Sequence, residues 1–445
     1  MGLPLLLNVL NQRGKLISHN KWTSEDIAKH QKNGLNKLRE YAYSQSDFYK
    51  KYHKGFYDKG LEELPVVTKA MMMENFDDFV TDKSIKLNEL QSLIKNMEGT
   101  IYKNKYWVSV TSGTTGTPGI FLSDFREWSQ IIASYSRGYE IGGMKPSLFK
   151  KTKMAMISTT FPLHQSAQVG ASVQSSIVPT LRIDATEPLK TIVEKLNDWH
   201  PDSLVSYASM TALLAQKQIE GQLKINPKAI FTSSEVLTAE MRKTIKEAWG
   251  IEPFNQYAMT ESGGLGSECG MHNGMHLFND LVIPEVVDEN NRPVPPGTFG
   301  SKLLITVLFS RTQPLIRYQI SDSIKISNRK CSCGINFPII EEIQGRSDQI
   351  IYLKSIQNEN IAVHPVIFYN IMDLVGITQW QVILNKDEFT FVIAGKKGPE
   401  IENNIIELLN QALLKMDIKP PRISIRYSDL QRNSRGKLSL IINNL

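Results

Sequence analysis

Apolar and polar positions along the chain change their rhythm three times, and each change marks a different kind of element. Up to about residue 90 the pattern reads mainly as helices, with Lys37-Leu38-Arg39-Glu40-Tyr41-Ala42 as one amphipathic example. From Val108 onward strands alternate with helices. Ser203-Leu204-Val205-Ser206-Tyr207 reads as a short buried strand, residues 210–219 as a helix, and Ala229-Ile230-Phe231-Thr232 as the next strand. Thr238 then caps a helix that carries Met241, Ile245 and Ala248 on one face and ends at Gly250. Such alternation predicts a parallel sheet covered by helices. Ser233-Ser234-Glu235 and residues 257–261 are each expected just after a strand, where open α/β sheets bind their ligands.

Near Asp280 the rhythm becomes two-residue. Residues 282–287 and 302–308 predict antiparallel β-structure, with turns at Glu289-Asn290-Asn291 and Pro295-Pro296-Gly297. From about Ser347 a smaller α+β segment begins. Residues 380–384 and 388–393 predict a hairpin, and Ile405, Leu408, Leu409 and Ala412 mark a helix over 401–415.

With 445 residues, 41% hydrophobic and 22% charged, the chain is ordinary globular material for two or three domains. The net charge of +6 is mild, and no dense Lys/Arg block with interleaved aromatics points to nucleic acid. Three cysteines make no disulfide framework, which places the protein in a reducing cytoplasm. The run Leu3-Pro4-Leu5-Leu6-Leu7-Asn8-Val9-Leu10 lacks the flanks of a signal peptide and is expected to be a helix packed on the main domain. No stretch has the roughly 20 apolar residues of a membrane span.

The densest chemistry lies in Thr111-Ser112-Gly113-Thr114-Thr115-Gly116-Thr117-Pro118-Gly119. Its glycines let backbone N–H groups converge into an anion nest, and its hydroxyls add donors without fixed charge. A polyphosphate, most simply ATP, fits such a cradle. It is not a Walker A loop, because Thr117 and Pro118 stand where lysine and a helix start would be needed. A second cluster is Cys331-Ser332-Cys333, two thiolates suited to a metal knuckle. Cys269, with His272 or His276 shortly after it, would complete a Cys₃His set for structural zinc.

The Thr111 loop resembles the phosphate-loop signature of the adenylate-forming superfamily, and later segments follow that family's order. Ser233-Ser234-Glu235 resembles its adenine-binding turn. Tyr257-Ala258-Met259-Thr260-Glu261 resembles Y-G-x-T-E, with alanine for glycine. Arg317-Tyr318-Gln319-Ile320-Ser321-Asp322 resembles R-Y-x-x-G-D, with serine for glycine. Gly345-Arg346-Ser347-Asp348 resembles the hinge, and Gly436-Lys437 sits where the family has its mobile lysine. Leu64-Pro65-Val66-Val67-Thr68-Lys69 and Glu74-Asn75-Phe76-Asp77-Asp78-Phe79 resemble the opening of phenylacetate-CoA ligase-like and coenzyme F390 synthetase-like proteins.

The resemblance implies an α/β fold. Residues 1–346 would form a large N-terminal adenylation domain, with parallel sheets covered by helices plus a β-rich subdomain. Residues 347–445 would form a small mobile C-terminal α+β lid. It also implies roles. Thr111, Ser112, Gly113, Thr114, Thr115 and Gly116 would hold the β- and γ-phosphates, and Thr260 the α-phosphate. Tyr257, within Tyr257-Ala258-Met259, would face adenine, with the backbone at Ser234 and Glu235 at the base edge. Asp322, supported by Arg346, would take the ribose hydroxyls. Glu261 would bind Mg²⁺, and Lys437 would swing between the carboxylate and the α-phosphate. His164 lies on the acyl-substrate wall, as a carboxylate contact, a closing group or a structural histidine. The family's C…H…C-x-C arrangement selects His276 beside Cys269, Cys331 and Cys333 for zinc.

The activity implied is that of an ATP-dependent, AMP-forming ligase acting on a small carboxylic acid. Its cofactors would be ATP, Mg²⁺ and structural Zn²⁺. The acyl acceptor would be CoA, a carrier protein or an amine, and a homodimer is the candidate assembly. Thr117 replaces the lysine common in the phosphate loop, and residues 355–365 lack the glycine of CoA-using lids. A nucleotidyltransferase that leaves AMP on a substrate hydroxyl is the second reading. A non-catalytic nucleotide-binding protein is the third, and the presence of Glu261, Asp322, Arg346 and Lys437 opposes it.

Overall fold

A capping box starts the long helix Phe125–Ile141: the Asp124 carboxylate accepts from the N–H groups of Arg126 and Glu127, and Glu127 accepts from the N–H of Asp124. The helix Leu3–His19 packs along it through Val9, against Trp128, Ile131 and Ile132, as the opening leucine run predicts. A buried charge cluster secures the pair. Arg137 is fully buried and grips Asp280 with two hydrogen bonds of 2.8 and 2.9 Å, while His19 Nδ1 lies 2.8 Å from the same carboxylate. The guanidinium also stacks over Phe278, 3.9 Å from the ring centre.

The computed structural model describes residues 2–96, 99–111, 118–144, 151–346, 351–363, 366–395, 397–432 and 438–445, with the backbone alone for 344–346, 362 and 366. Two units emerge. The first comprises Met1–Lys151, Thr160–Thr180 and Phe254–Glu342; the second comprises Thr152–Thr159, Leu181–Pro253 and Ile343–Leu445.

In the first unit the early residues are helical, as expected. Three antiparallel strands then flank the phosphate loop: Ile101–Tyr102, Tyr106–Val110 and Ile120–Ser123. Val282–Val287, Lys302–Val307 and Tyr318–Ile320 form a second antiparallel sheet, which fits the alternating pattern after Asp280. Phe254–Met259 pairs antiparallel with Gly263–Glu268, which pairs in turn with Met275–Leu277. Two expectations need correction here. The strand before the phosphate loop is the middle strand of an antiparallel sheet rather than the start of a βαβ unit. Tyr257, Ala258 and Met259 lie inside a strand rather than after one, with a bulge at Tyr257/Ala258. The reason is the partner strand: the small residues of Gly263-Gly264-Leu265-Gly266 let it press on the long helix. A Cβ on Gly264 would stand 3.1 Å from the Ser134 backbone.

The second unit holds the parallel strands. Met154–Ser158, Ser203–Tyr207 and Ala229–Ser233 pair in that order, and Ala208–Ile219 follows the middle one. Thr238 accepts from the Met241 N–H to start Ala239–Trp249, and Gly250 ends it at φ +72°, as the sequence predicts. Ile343–Leu445 adds an α+β part. Its sheet orders Arg422–Tyr427, Glu388–Ile393, Trp380–Asn385 and Ile441–Asn443, under the helices Val366–Val375 and Pro399–Lys415. Phe368, Trp380, Phe389, Phe391, Ile405 and Leu409 form its own core.

Candidate nucleotide site and metal centre

The phosphate loop is closed at its root. Thr111 N–H donates to the Gly119 carbonyl at 3.0 Å, and Gly119 N–H donates to Thr111 Oγ1 at 2.8 Å. A Cβ at Gly119 would stand 2.9 Å from the Phe121 ring and 3.4 Å from Lys69 Cδ, so a side chain there would force the Phe121 ring to shift. Lys69 therefore lies beside Gly119 at the root, a placement that its position in the opening segment did not reveal. Ser112, Gly113, Thr114, Thr115 and Gly116 lie outside the described residues, as does Thr117.

One short segment joins this root to the next motif. Val110 N–H donates to the Leu163 carbonyl at 2.9 Å, and two residues on, Gln165 Nε2 donates to the Thr260 carbonyl at 2.9 Å. His164 sits between them at the start of the helix Gln165–Val173, with Nδ1 2.8 Å from Ser166 Oγ. Leu163 to Gln165 thus tie the Thr111 root to Thr260 and bring His164 with them. Glu261 follows Thr260 at the half-exposed turn between two antiparallel strands. Tyr257 is buried, and its hydroxyl donates to Asp322 Oδ2 in a short hydrogen bond. Two segments expected to bind the nucleotide are therefore directly connected.

Arg317, read only as the first letter of its motif, has a structural task. Its guanidinium pairs with Glu285 at 3.0 Å and donates to the carbonyls of Glu62, at 2.8 Å, and Leu64. Val67 N–H donates to the Arg317 carbonyl at 3.1 Å and its carbonyl accepts from Gln319 N–H at 2.9 Å, so the opening segment is laid alongside Tyr318. Nothing local in either segment signals this pairing.

The second unit holds the remaining pieces. Ser234 takes φ +67°, and the Glu235 carboxylate accepts from the N–H groups of Ser209, at 2.9 Å, and Leu438, at 2.7 Å. Arg346 ends the strand Ile339–Arg346, but its side chain lies outside the described residues, and so does Lys437.

Cys269, His276, Cys331 and Cys333 come together as the spacing and resemblance predict: their ligand atoms all lie within 4.8 Å of one another. Cys269 follows the strand Gly263–Glu268, while His276 is wholly buried in Met275–Leu277. Cys331 and Cys333 sit on a tight turn closed by Gly334 N–H on the Cys331 carbonyl. The Cys269–Cys331 sulfurs are 3.7 Å apart, and Cys333 Sγ is 3.1 Å from His276 Nε2. Around a tetrahedral zinc with bonds of about 2.3 Å, sulfurs stand roughly 3.8 Å apart, so the donors suit such an ion. Burial holds the His276 imidazole down at about 4, which keeps it neutral, and pushes the Cys269 thiol up to about 12 without a cation. His272 is turned elsewhere, 3.4 Å from Glu268 and against Phe254.

No family model matches the chain. Phenylacetate-coenzyme A ligase of Thermus thermophilus is 24% identical over 346 residues, covering 73% of this chain and 72% of that enzyme. Protein CapK of Staphylococcus aureus is 26% identical over 281 residues, 60% of this chain and 54% of CapK. The fold matches a crystal structure of 2-hydroxyisobutyryl-CoA ligase in the postadenylation state with TM-score 0.74 at 19% identity, over 95% of this chain and 90% of that one. The chain thus shares the fold of 2-hydroxyisobutyryl-CoA ligase and is similar in sequence to phenylacetate-coenzyme A ligases.

Proposed function

We propose that the protein activates a carboxylic acid with ATP and transfers the acyl group to the thiol of CoA. In the first step a carboxylate oxygen attacks the α-phosphorus, the bond to the β-phosphate breaks, and pyrophosphate leaves. In the second the thiolate attacks the acyl carbonyl and AMP leaves. The work is charge neutralisation and alignment. The observation that carries the reading is the Leu163–Gln165 tie, which joins the root of the phosphate loop to Thr260, next to Glu261.

In this reading the Thr111–Gly116 loop holds the phosphates, Thr260 the α-phosphate, and Glu261 the Mg²⁺, a hard cation suited to carboxylate and phosphate oxygen. Tyr257 and Asp322 take adenine and ribose, supported by the backbone at Ser234 and Glu235 and by Arg346. His164 borders the acid, and Lys437 serves the transferring charge. Residues 347–445, which have a core of their own, act as a separate lid. The four Cys/His donors hold one structural Zn²⁺, since a closed four-ligand site leaves no open position for catalysis.

Pyrophosphate exchange over a panel of carboxylic acids tests the first step, and CoA-dependent AMP release tests the second. Exchange with at least one acid and a thioester product are expected. A stable AMP conjugate without acyl transfer would replace this reading with nucleotidyl transfer.

A further inference from the structure

Both flanks of the segment that carries Lys437 are tied to one point. Arg432 and Leu438 face each other as an antiparallel bridge. Arg432 Nη1 donates to Ser209 Oγ at 3.2 Å, and Leu438 N–H donates to Glu235 Oε1 at 2.7 Å. The other oxygen of Glu235 accepts the N–H of Ser209 at 2.9 Å, so the carboxylate links Ser209 to Leu438. Ser209 lies in the first turn of Ala208–Ile219, where backbone N–H groups have no partner inside the helix and favour a negative charge. Gln379 Nε2 adds a bond to the Ser209 carbonyl at 3.0 Å.

The backbone carries a cost to place this group. Ser234, directly before Glu235, sits at φ +67°, a region non-glycine residues enter only when the surroundings hold them there. Ser209 and Leu438 are buried, so both N–H groups need an acceptor. Both carboxylate oxygens of Glu235 are therefore engaged with backbone.

We propose that Glu235 is a positioning residue: its side chain fixes the Arg432–Leu438 stem on which the Lys437 segment is carried, and does not itself bind the nucleotide. The kinetic consequence rests on the acyl-adenylate reading above; the structural consequence does not. Glu235→Gln keeps the shape but sets an amide N–H₂ against one of the two donors. Arg432→Gln loosens the same stem from its other strand.

The test compares wild type, Glu235→Gln and Arg432→Gln as full chains. It uses amide hydrogen exchange at Ser209 and Leu438, equilibrium ATP binding, and pyrophosphate exchange. Both variants should speed exchange at Leu438 on the order of tenfold or more, as expected for weakening a charge-assisted bond. ATP affinity should stay within about twofold, and kcat for pyrophosphate exchange should fall about tenfold with little change in the KM for ATP. Tenfold weaker ATP binding by Glu235→Gln with Leu438 still protected would overturn the proposal and make the side chain a nucleotide ligand. Unchanged protection in both variants would also overturn it. If no acid supports pyrophosphate exchange in the wild type, the functional reading fails, while hydrogen exchange still decides the role of Glu235.

Discussion

The hydroxyl of Tyr257 donates to the carboxylate of Asp322, joining two strand segments that lie 65 residues apart in the chain. In the proposed nucleotide site this bond sets the ring that faces adenine and the carboxylate that meets the ribose in one fixed relation. Tyr257→Phe keeps the ring and removes the tether, and should raise the KM for ATP several-fold. Asp322→Ala loses the acceptor for the ribose as well and should raise it tenfold or more, since hydrogen bonds to charged groups are worth about 1.5–3 kcal/mol. Steady-state kinetics at saturating acid read both, and an unchanged KM in Asp322→Ala would remove Asp322 from the ribose contact.

Lys437→Ala should abolish acid-dependent pyrophosphate exchange while ATP binding survives. A lysine that acts on transferring charge contributes to the transition state rather than to the resting complex. Exchange at the wild-type rate would take Lys437 out of the reaction.

The Cys/His cluster should bind one zinc per chain, measurable by elemental analysis of the purified protein. Cys331→Ser and Cys333→Ser should each lower metal content and melting temperature. Protons compete with the cation for the thiolates, so affinity should fall as the pH is lowered. Absence of stoichiometric metal together with three freely reactive thiols would refute the site.

Arg137 and Asp280 make a stability prediction with a defined pH window. Burial alone would raise the Asp280 pKa, but the Arg137 charge, with His19, outweighs it and holds the carboxyl at about 2 instead of 3.8. The folded state therefore prefers the ionised form. That contribution is complete above about pH 4 and is lost as the pH falls towards 2. Asp280→Asn should cost about 3–5 kcal/mol at neutral pH, because it leaves a fully buried guanidinium without its partner charge. Denaturant melts from pH 7 to pH 2 should show the variant's deficit shrinking at the acid end.

What the chain determined by itself is local. Thr238 and Gly250 bound their helix because a cap and a left-handed residue act within a turn. Ser203–Tyr207 is strand because five adjacent residues are all buried. Cys331 and Cys333 converge because one intervening residue and Gly334 make the turn. The tertiary structure decided what sequence spacing could not. It chose His276 over His272, because pairing of Met275–Leu277 with its neighbours turns one imidazole inward and leaves the other on Glu268. It placed Tyr257 in an antiparallel strand, because the apolar rhythm of a strand does not reveal the direction of its partner. It also gave Glu235 a partner 203 residues away, through backbone N–H groups that every residue but proline possesses and that therefore leave no mark in the sequence.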